Sequence, residues 1–422
     1  MKALKDKNLK TEISAGLTTF MTVAYILAVH PSILSTVGMD SGALFTTTAL
    51  TAAIGTFIMA FVAKLPFVVI PAMGANAFFV YTVCTKMGFS WQFALTAVFL
   101  EGLIFLLLTL TGLRVGLVNL IPQSLKNALT AGIGLYITLV GLQNAGIVVP
   151  SESTMLTLGD IASAPAIVSI IGLIILGALY ALKVRGAMIY GIIATTIVSI
   201  PFGLVEYKGV FSMPPSIEPI FMKQEWGSIF TVDMFFVLLS LLFVDTLSTI
   251  GAFIGMADKA GILQREDSDK IIKKGLLADA VATTVGAIMG TSSTCTAIES
   301  GAGLSAGARS GVASFVIAVC FLLALFFSPL FLMIPSAATA PVLIIIGLMM
   351  FSSVVSIDFS DYSEAIPAFI CTVMMPLSYN IADGIILGLI SYVLINLLSG
   401  KVRKLSWGLV IITAIFALKY VI

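Results

Sequence analysis

Charge is scarce in this chain. Lys and Arg number 22 and Asp and Glu 21, only 10% of 422 residues. Soluble globular chains carry roughly 25%, so most water-soluble folds are excluded. Histidine occurs once, as His30, which argues against a metal centre built from several histidines. Cys84, Cys295, Cys320 and Cys371 are scattered, without a CxxC pair. They read as small apolar filler rather than a disulfide framework or a zinc site. No G-x-x-x-x-G-K-[ST] phosphate loop occurs, so ATP hydrolysis has no recognised machinery here. The glycines of Gly301-Ala-Gly303-Leu-Ser-Ala-Gly307 have the wrong spacing for a dinucleotide fingerprint and follow no soluble strand. The net charge is +1 and no basic cluster is long, so nucleic acid is not an expected partner. Neither a cofactor nor an enzymatic activity is expected.

Apolar sequence is what the chain has in abundance. Hydrophobic residues make up 59%, in runs such as Phe93–Leu110, Ile167–Leu182 and Phe315–Ile334. A run of about 18 residues spans the hydrocarbon core as a helix. Backbone in lipid must bond to itself, which leaves only helices and closed barrels, and these uniform runs lack the alternation of barrel strands. The sequence therefore reads as an all-α polytopic membrane protein of about 14 transmembrane spans. They fall near residues 13–34, 43–63, 67–85, 91–112, 123–147, 163–182, 186–203, 230–256, 272–290, 293–306, 309–333, 337–356, 362–377 and 379–399. Residues 405–421 form a further apolar stretch outside this count. The basic start, residues 1–12, lacks a following small-residue cleavage site and reads as a cytoplasmic N-terminus before a retained first span.

With that N-terminus inside, alternation puts 18 of the 22 basic residues on the cytoplasmic side, among them Lys64, Arg114, Lys126, Arg309 and Lys401. This is the distribution the positive-inside rule favours. Lys86, Lys208 and Lys223 fall outside, and Lys419 depends on the last stretch. The segment 204–229, with Pro214, Pro215 and Pro219, reads as an extracellular loop connecting a first repeat, 13–203, to a second, 230–399. Residues 400–422 are a C-terminal apolar segment. Seven spans per repeat is an odd number, so the second repeat enters the membrane in the opposite sense, as in inverted-repeat transporters. The expected location is the plasma membrane.

Two spans are interrupted at matching places, the third of each repeat. Pro66-Phe-Val-Val-Ile-Pro71-Ala-Met-Gly74-Ala-Asn76 sets two prolines and a glycine in a short apolar run. Gly290-Thr-Ser-Ser-Thr-Cys-Thr-Ala-Ile-Glu299-Ser-Gly301 sets hydroxyls and a carboxylate there. Neither can lie as a continuous lipid-facing helix. Paired broken segments are the best sequence pointer to a transporter's binding site.

Few ionisable residues lie at membrane depth: Glu101, Asp245, Asp279 and Glu299, with Asp233 and Asp383 near span ends. Each costs about 3 kcal/mol at a helix centre on insertion scales, which makes function the default hypothesis. Glu299 stands where the broken tenth span restarts, at the positive end of a half-helix. It suits the N–H donors of a flat heterocycle or a coupled proton; the plainer alternative is a helix cap. Asn76 holds the matching place in the third span and both donates and accepts, or it merely satisfies broken backbone. Asp245 needs a ligand, a proton or a hydroxyl partner, and Thr246, Ser248 and Thr249 are near it. Asp279 and Glu101 are candidates for proton coupling or for interhelical hydrogen bonds. Gly251 and Gly255 form a small-xxx-small pair, a spacing that favours close helix packing. Tyr25, Phe78 and Phe79 are candidates to stack on the face of a flat heterocycle, with ordinary packing as the alternative.

Three stretches carry a resemblance. Pro71-Ala-Met-Gly-Ala-Asn-Ala-Phe-Phe79, Phe243-Val-Asp-Thr-Leu-Ser-Thr-Ile-Gly251 and Gly290–Gly303 followed by Gly307-Ala-Arg-Ser-Gly311 resemble the signatures of the nucleobase/cation symporter-2 family, in its AzgA-like purine permease branch. The likeness runs from about Glu12 to Leu398. It implies a 7+7 inverted repeat with a core domain, 13–112 and 230–333, and a gate domain, 123–203 and 337–399. It also implies elevator-like motion of core against gate, with substrate held by residues matching Asn76, Asp245 and Glu299. Two positions depart from the branch pattern: Ser248 stands where a second aspartate is usual, and His30 where Asn precedes Pro.

The expected function is import of guanine, hypoxanthine or adenine by symport with a cation, a proton first and sodium second. Glu299 and Asp245 would bind the base edge, and one carboxylate would couple to the proton. The lipid bilayer and a second copy of the chain, as a homodimer, are the other expected partners. An anion transporter of the same architecture is the first rival and needs a basic residue near the broken helices, for which Arg309 is the candidate. An intramembrane enzyme would have to recruit Ser292, Ser293 and Asp279, and a passive channel fits buried carboxylates poorly.

Overall fold

Peptide groups out of water's reach must find partners within the chain, and here they find them overwhelmingly in helices. The computed structural model describes residues 2–112, 120–418 and 420, so Arg114 and Lys419 lie outside the described residues. The first repeat holds α1 (Lys2–Val23), α2 (Ile26–Leu34), α3 (Ser41–Ile58), α4 (Met73–Ala77), α5 (Trp91–Thr111), α6 (Gln123–Asn144), α7 (Ala164–Ala181) and α8 (Ala187–Ser199). The second holds α9 (Val232–Lys259), α10 (Ser268–Met289), α11 (Ser300–Ser305), α12 (Gly311–Ala324), α13 (Ser328–Leu332), α14 (Ser336–Phe351), α15 (Tyr362–Leu377) and α16 (Ile381–Leu398). A last helix, α17, spans Trp407–Leu418.

The chain is a polytopic all-α membrane protein. Among the described residues, nine helical segments are long and apolar enough to cross a membrane. Helices α8, α15 and α17 are apolar but shorter. Helix α10 has the length without the apolarity, and burial explains why: Ala278, Asp279 and Thr283 are fully enclosed by protein, so lipid never tests their polarity. Each of the fourteen expected segments falls on a helix or on a broken one. The stretch beyond them is helical too. Helix α17, about 18 Å long by its helical rise, runs back beside α16 until the Tyr420 hydroxyl meets Asp383 Oδ1 at 3.3 Å. On the way Phe416 packs edge-on against Phe243, with ring centroids 5.0 Å apart.

The two interrupted spans meet. Strand β1 (Val69–Pro71) pairs antiparallel with β4 (Thr294–Thr296), Ile70 opposite Cys295. A short helix leaves each strand: α4, which continues as a π-helix over Phe78–Lys86, and α11. A second hairpin, β2 (Val148–Ser151) with β3 (Met155–Leu158), lies between α6 and α7.

The proline-rich segment between α8 and α9 is a strap. Thr46 Oγ1 donates to Pro215 O at 2.9 Å, Ser212 N to Phe326 O at 3.0 Å and Met222 N to Ile288 O at 2.9 Å. Gln224 Nε2 donates to Ala287 O, and Glu225 N to Thr96 Oγ1, both at 2.7 Å. It thus ties together one end of α3, α5, α10 and the α12–α13 segment. Hydrogen bonds from Ser228 and then Ser90 hold the Glu225 carboxyl below the usual glutamate range. At the opposite, lysine-rich end, Lys401 and Lys404 approach Asp361 at 2.8 and 3.0 Å and hold its carboxyl well below the usual aspartate range.

Helices α6 and α14 pack through facing glycines. A Cβ built on Gly347 would come within 2.0 Å of Thr138 Oγ1 and 2.5 Å of Gly134 O, so the backbones touch only because both side chains are absent. Overpacking a filled interior costs about 1–3 kcal/mol or more. Gly347→Val is therefore expected to lower the midpoint of thermal unfolding in detergent by several degrees. Gly251→Ala, whose new Cβ meets nothing within 4 Å, should leave that midpoint unchanged.

Candidate functional site

Unwinding a helix inside a membrane frees N–H and C=O groups that cost several kcal/mol each if unpaired. In the second break, four consecutive hydroxyl residues reach four different helices. Thr291 Oγ1 lies 2.7 Å from His30 Nε2 on α2. Ser292 Oγ donates to Asn76 Oδ1 on α4, and Ser293 Oγ to Glu101 Oε2 on α5. Thr294 Oγ1 lies 3.0 Å from Thr283 Oγ1 on α10. The freed backbone is met in the same way: Ala72 N donates to Ser293 O at 2.9 Å and Ala297 N to Val68 O at 3.0 Å. Val68 N donates to Ser300 Oγ at 3.0 Å and Val69 N to Thr56 Oγ1 at 3.1 Å.

Beside this crossing lies a cavity of about 290 Å³. One wall is the breaks themselves, Ile70–Gly74 and Cys295–Glu299; Tyr25 stands against them. Helix α9 contributes Ser248, Gly251 and Ala252, and α14 and its end contribute Ile346, Met349, Met350, Ser352 and Ser353. The volume lies at the lower edge of the range for small-molecule sites, and a mostly apolar wall with a few convergent polar groups is their usual build. Ile298, Gly251 and Ser352 are exposed, so the cavity opens toward the lysine-rich end.

Glu299 and Tyr25 are the sequence-predicted residues on this wall. The Tyr25 hydroxyl donates to Glu299 Oε1 at 2.8 Å. Glu299 stands at the N-cap position of α11 but makes no side-chain cap hydrogen bond, so its carboxylate faces Tyr25 and the cavity instead of closing the helix. Tyr25 is available because α1 and α2 break at residues 24–25, which turns its ring inward.

The other candidates stand behind the wall. Asn76 is fully buried and holds Ser292. Asp245 is fully buried one turn from Thr249, whose hydroxyl donates to its Oδ1 at 3.3 Å. Asp279 is buried on α10, where its carbonyl accepts from Thr294 Oγ1 at 3.3 Å, and Glu101 holds Ser293. Asp245, Asp279 and Glu299 are nonetheless all within electrostatic reach of Cys295 on the wall. Phe78 and Phe79 are buried in the apolar core away from the cavity, and their rings pack there. Gly251 and Gly255 are not a packing pair: nothing lies within 4 Å of a Cβ at either, and Gly251 lines the cavity. Their missing side chains leave room beside the site.

Arg309 does not reach the cavity. Its Nη1 donates to Leu304 O at 2.8 Å and to Ala308 O, so the guanidinium closes the C-terminal end of α11. Ser292 and Ser293 are likewise committed to Asn76 and Glu101. Sequence reasoning missed the wall formed by α14, whose Ile346, Met349 and Met350 look like any apolar span. The Thr-Ser-Ser-Thr run was legible as polar, but not as four separate tethers.

Removing one tether should loosen the crossing. Ser293→Ala withdraws a donor from the buried Glu101 carboxyl, a loss worth about 1–3 kcal/mol, and is expected to lower the thermal midpoint measurably. Ser305→Ala, which deletes an exposed hydroxyl that donates to Gly301 O at 2.8 Å, should not.

Comparison with known proteins follows the same lines. Residues 10–387 match the model of a family described as Permease family. The guanine/hypoxanthine permease PbuG of Bacillus subtilis is 41% identical over 96% of this chain and 96% of its own. The adenine permease AdeQ of Escherichia coli is 38% identical over 98% of this chain and 93% of its own. Among solved structures, the transmembrane domain of the cyanobacterial bicarbonate transporter BicA superposes with a TM-score of 0.67 at 14% identity, covering 90% of this chain and 97% of that one. SLC26A9 superposes at 0.66, with 13% identity over 93% of this chain and 66% of that one. At those identities the likeness is one of fold alone.

Proposed function

Because this chain belongs to the Permease family of nucleobase/cation symporters, we propose that it imports a purine nucleobase by proton symport. It is a multi-pass membrane transporter of nucleobases and not an enzyme. The finer reading takes guanine, hypoxanthine or adenine as substrate and the plasma membrane as location, with the N-terminus and the lysine-rich end in the cytoplasm. The curated relatives handle adenine or guanine and hypoxanthine, and the positive-inside rule favours that orientation.

One observation carries the assignment: the Glu299 carboxylate, paired with the Tyr25 hydroxyl at 2.8 Å on the wall of the cavity between the broken spans. Guanine offers its ring N1–H and amino group side by side on one flat edge, and a carboxylate accepts both at once; hypoxanthine and adenine offer one such donor on the corresponding edge. Proton and base must be carried together in symport, so one carboxylate, Glu299 or Asp245, is protonated while the base is bound and gives up its proton when the base leaves. Ala72, Met73 and Ala297 line the cavity beside Glu299 and would pack against the rest of the base. Asn76 shapes the site through Ser292, and Asp245 supports it from behind Ser248, three residues further along α9.

The reading also assigns the motion. Helices of 13–112 and 230–333 form a core that carries the crossing and is bound at one end by the strap. Helices of 123–203 and 337–399 form a gate that supplies the α14 wall. Sliding of core against gate would take Glu299 and its ligand from one face of the membrane to the other. The anion reading is disfavoured because its basic candidate, Arg309, is spent on closing α11.

Uptake of radiolabelled purines and pyrimidines into cells or vesicles, with proton and sodium gradients collapsed separately, tests the proposal. Proton-gradient collapse should abolish purine accumulation, and sodium removal should not. Glu299→Gln keeps the shape and loses the titrating charge; accumulation against a gradient should fall at least about 100-fold while membrane insertion is unchanged. Undiminished accumulation by that variant would refute the role of Glu299.

A further inference from the structure

The cavity opens toward the lysine-rich end, and the other end is closed by contacts that join the two helix groups directly. Lys86 ends the π-helical continuation of α4. Its Nζ donates to Ser378 O at 2.6 Å and to Asp383 Oδ2 at 3.1 Å, both on the opposite group. Lys86 thereby closes the exposed C-terminal end of its own helix onto the gap between α15 and α16.

Immediately beneath it lies a layer of tyrosines. The ring of Tyr81 meets Tyr136 and Tyr379 edge-on, with centroids 6.4 and 6.1 Å away, and those two rings meet each other at 5.4 Å. Tyr81 belongs to the same helix as Lys86, five residues earlier, whereas Tyr136 and Tyr379 belong to the gate. Tyr379 is held in the left-handed region, φ 53°, unusual for an aromatic residue, and its hydroxyl donates to Gln143 Oε1 at 2.7 Å. Such a conformation persists only where the surroundings fix it. Tyr136 is fully buried and Tyr81 nearly so, so the layer excludes water between the cavity and the strap end.

We propose that Lys86, Asp383 and the three tyrosines form a latch that closes the strap end of the transport path and must come apart for the cavity to open there. It rests on the core-and-gate reading above but adds residues outside the substrate site. The ion pair is partly exposed, with the Lys86 side chain 38% accessible, which suits a contact that is made and broken repeatedly. The tyrosine rings offer edges and faces without long-range charge, so the layer parts without stranding a buried ion. The latch helix is also the direct continuation of α4. Movement of the first break and release of Lys86 are therefore mechanically one event.

Cys295 provides the test, because it lies on the cavity wall. In a background with Cys84, Cys320 and Cys371 replaced by alanine, a membrane-impermeant thiol reagent is applied separately to sealed vesicles of either orientation. The unaltered latch should leave Cys295 labelled slowly from the strap side. Lys86→Met and Asp383→Asn should each raise labelling from that side by about five-fold, the scale expected for a partly exposed ion pair, and lower it from the other. The exchanged pair Lys86→Asp with Asp383→Lys should return labelling toward the starting rate, and Tyr81→Ala should increase it further than Lys86→Met. Unchanged strap-side labelling in both single variants, each present in the membrane at normal level, would overturn the latch. A variant that fails to insert is replaced by the exchanged pair, whose failure to restore slow labelling would also overturn it. The readout needs no substrate, so a wrong purine assignment leaves this outcome untouched.

Discussion

Backbone that stops being helical in the middle of a membrane must find every hydrogen bond elsewhere, and the rest of this protein is arranged around that demand. Two breaks share the problem by crossing. Val69–Pro71 and Thr294–Thr296 bond to each other, and the remaining groups are met by hydroxyls of Thr56, Thr283 and Ser300. The hydroxyls of Thr291 to Thr294 then anchor the crossing to α2, α4, α5 and α10. This explains why α10 is too polar to pass as a lipid-facing helix, with Asp279, Thr283 and Thr284 on its buried side. It also explains why His30, Asn76 and Glu101 sit so deep. Each holds one residue of the same four-residue run.

Seen from that constraint, the buried acids separate into two kinds. Glu101 answers a serine of the break. Glu299 accepts from the Tyr25 hydroxyl and lies on the cavity wall. Polarity at membrane depth is costly for both; in one case the fold offsets it, and in the other the proposed ligand would. Asp245 stands between these cases, bonded to Thr249 yet within electrostatic reach of the wall at Cys295.

Much of this was legible in the residues. Long apolar runs dictated helices, and Pro66, Pro71 and Gly290–Gly301 marked both breaks at matching positions. Glu299 stood out as a carboxylate at the restart of a half-helix, where helix capping was the plainer alternative; in the structure it makes no side-chain cap hydrogen bond. What stayed hidden depended on three-dimensional neighbours. The gap beside Gly251 reads in sequence as a packing motif, since spacing records which residues share a helix face and not whether another helix covers it. The strap reads as a loop because prolines suppress regular structure, while its bonds to four core segments are made one backbone group at a time. Phe78 and Phe79 read as stacking partners, but both rings are buried in the apolar core and neither lines the cavity. The α14 wall of the cavity carries no polar signature at all.

The strap and the crossing together give the proposed core two ties, one at its end and one at its middle, whereas it would meet the gate through apolar faces, the tyrosine layer and the Lys86 contacts. Such an imbalance favours motion of one group against the other over distortion within either. It also makes the base's resting place the decisive quantity. An electron cryo-microscopy map of the protein with a bound purine measures it directly. The account predicts base density between residues 71–74 and 295–299, with a ring or amino nitrogen within hydrogen-bond distance of the Glu299 carboxylate. Density for the base elsewhere, or unbroken helical backbone through residues 67–76 and 291–299, would contradict it.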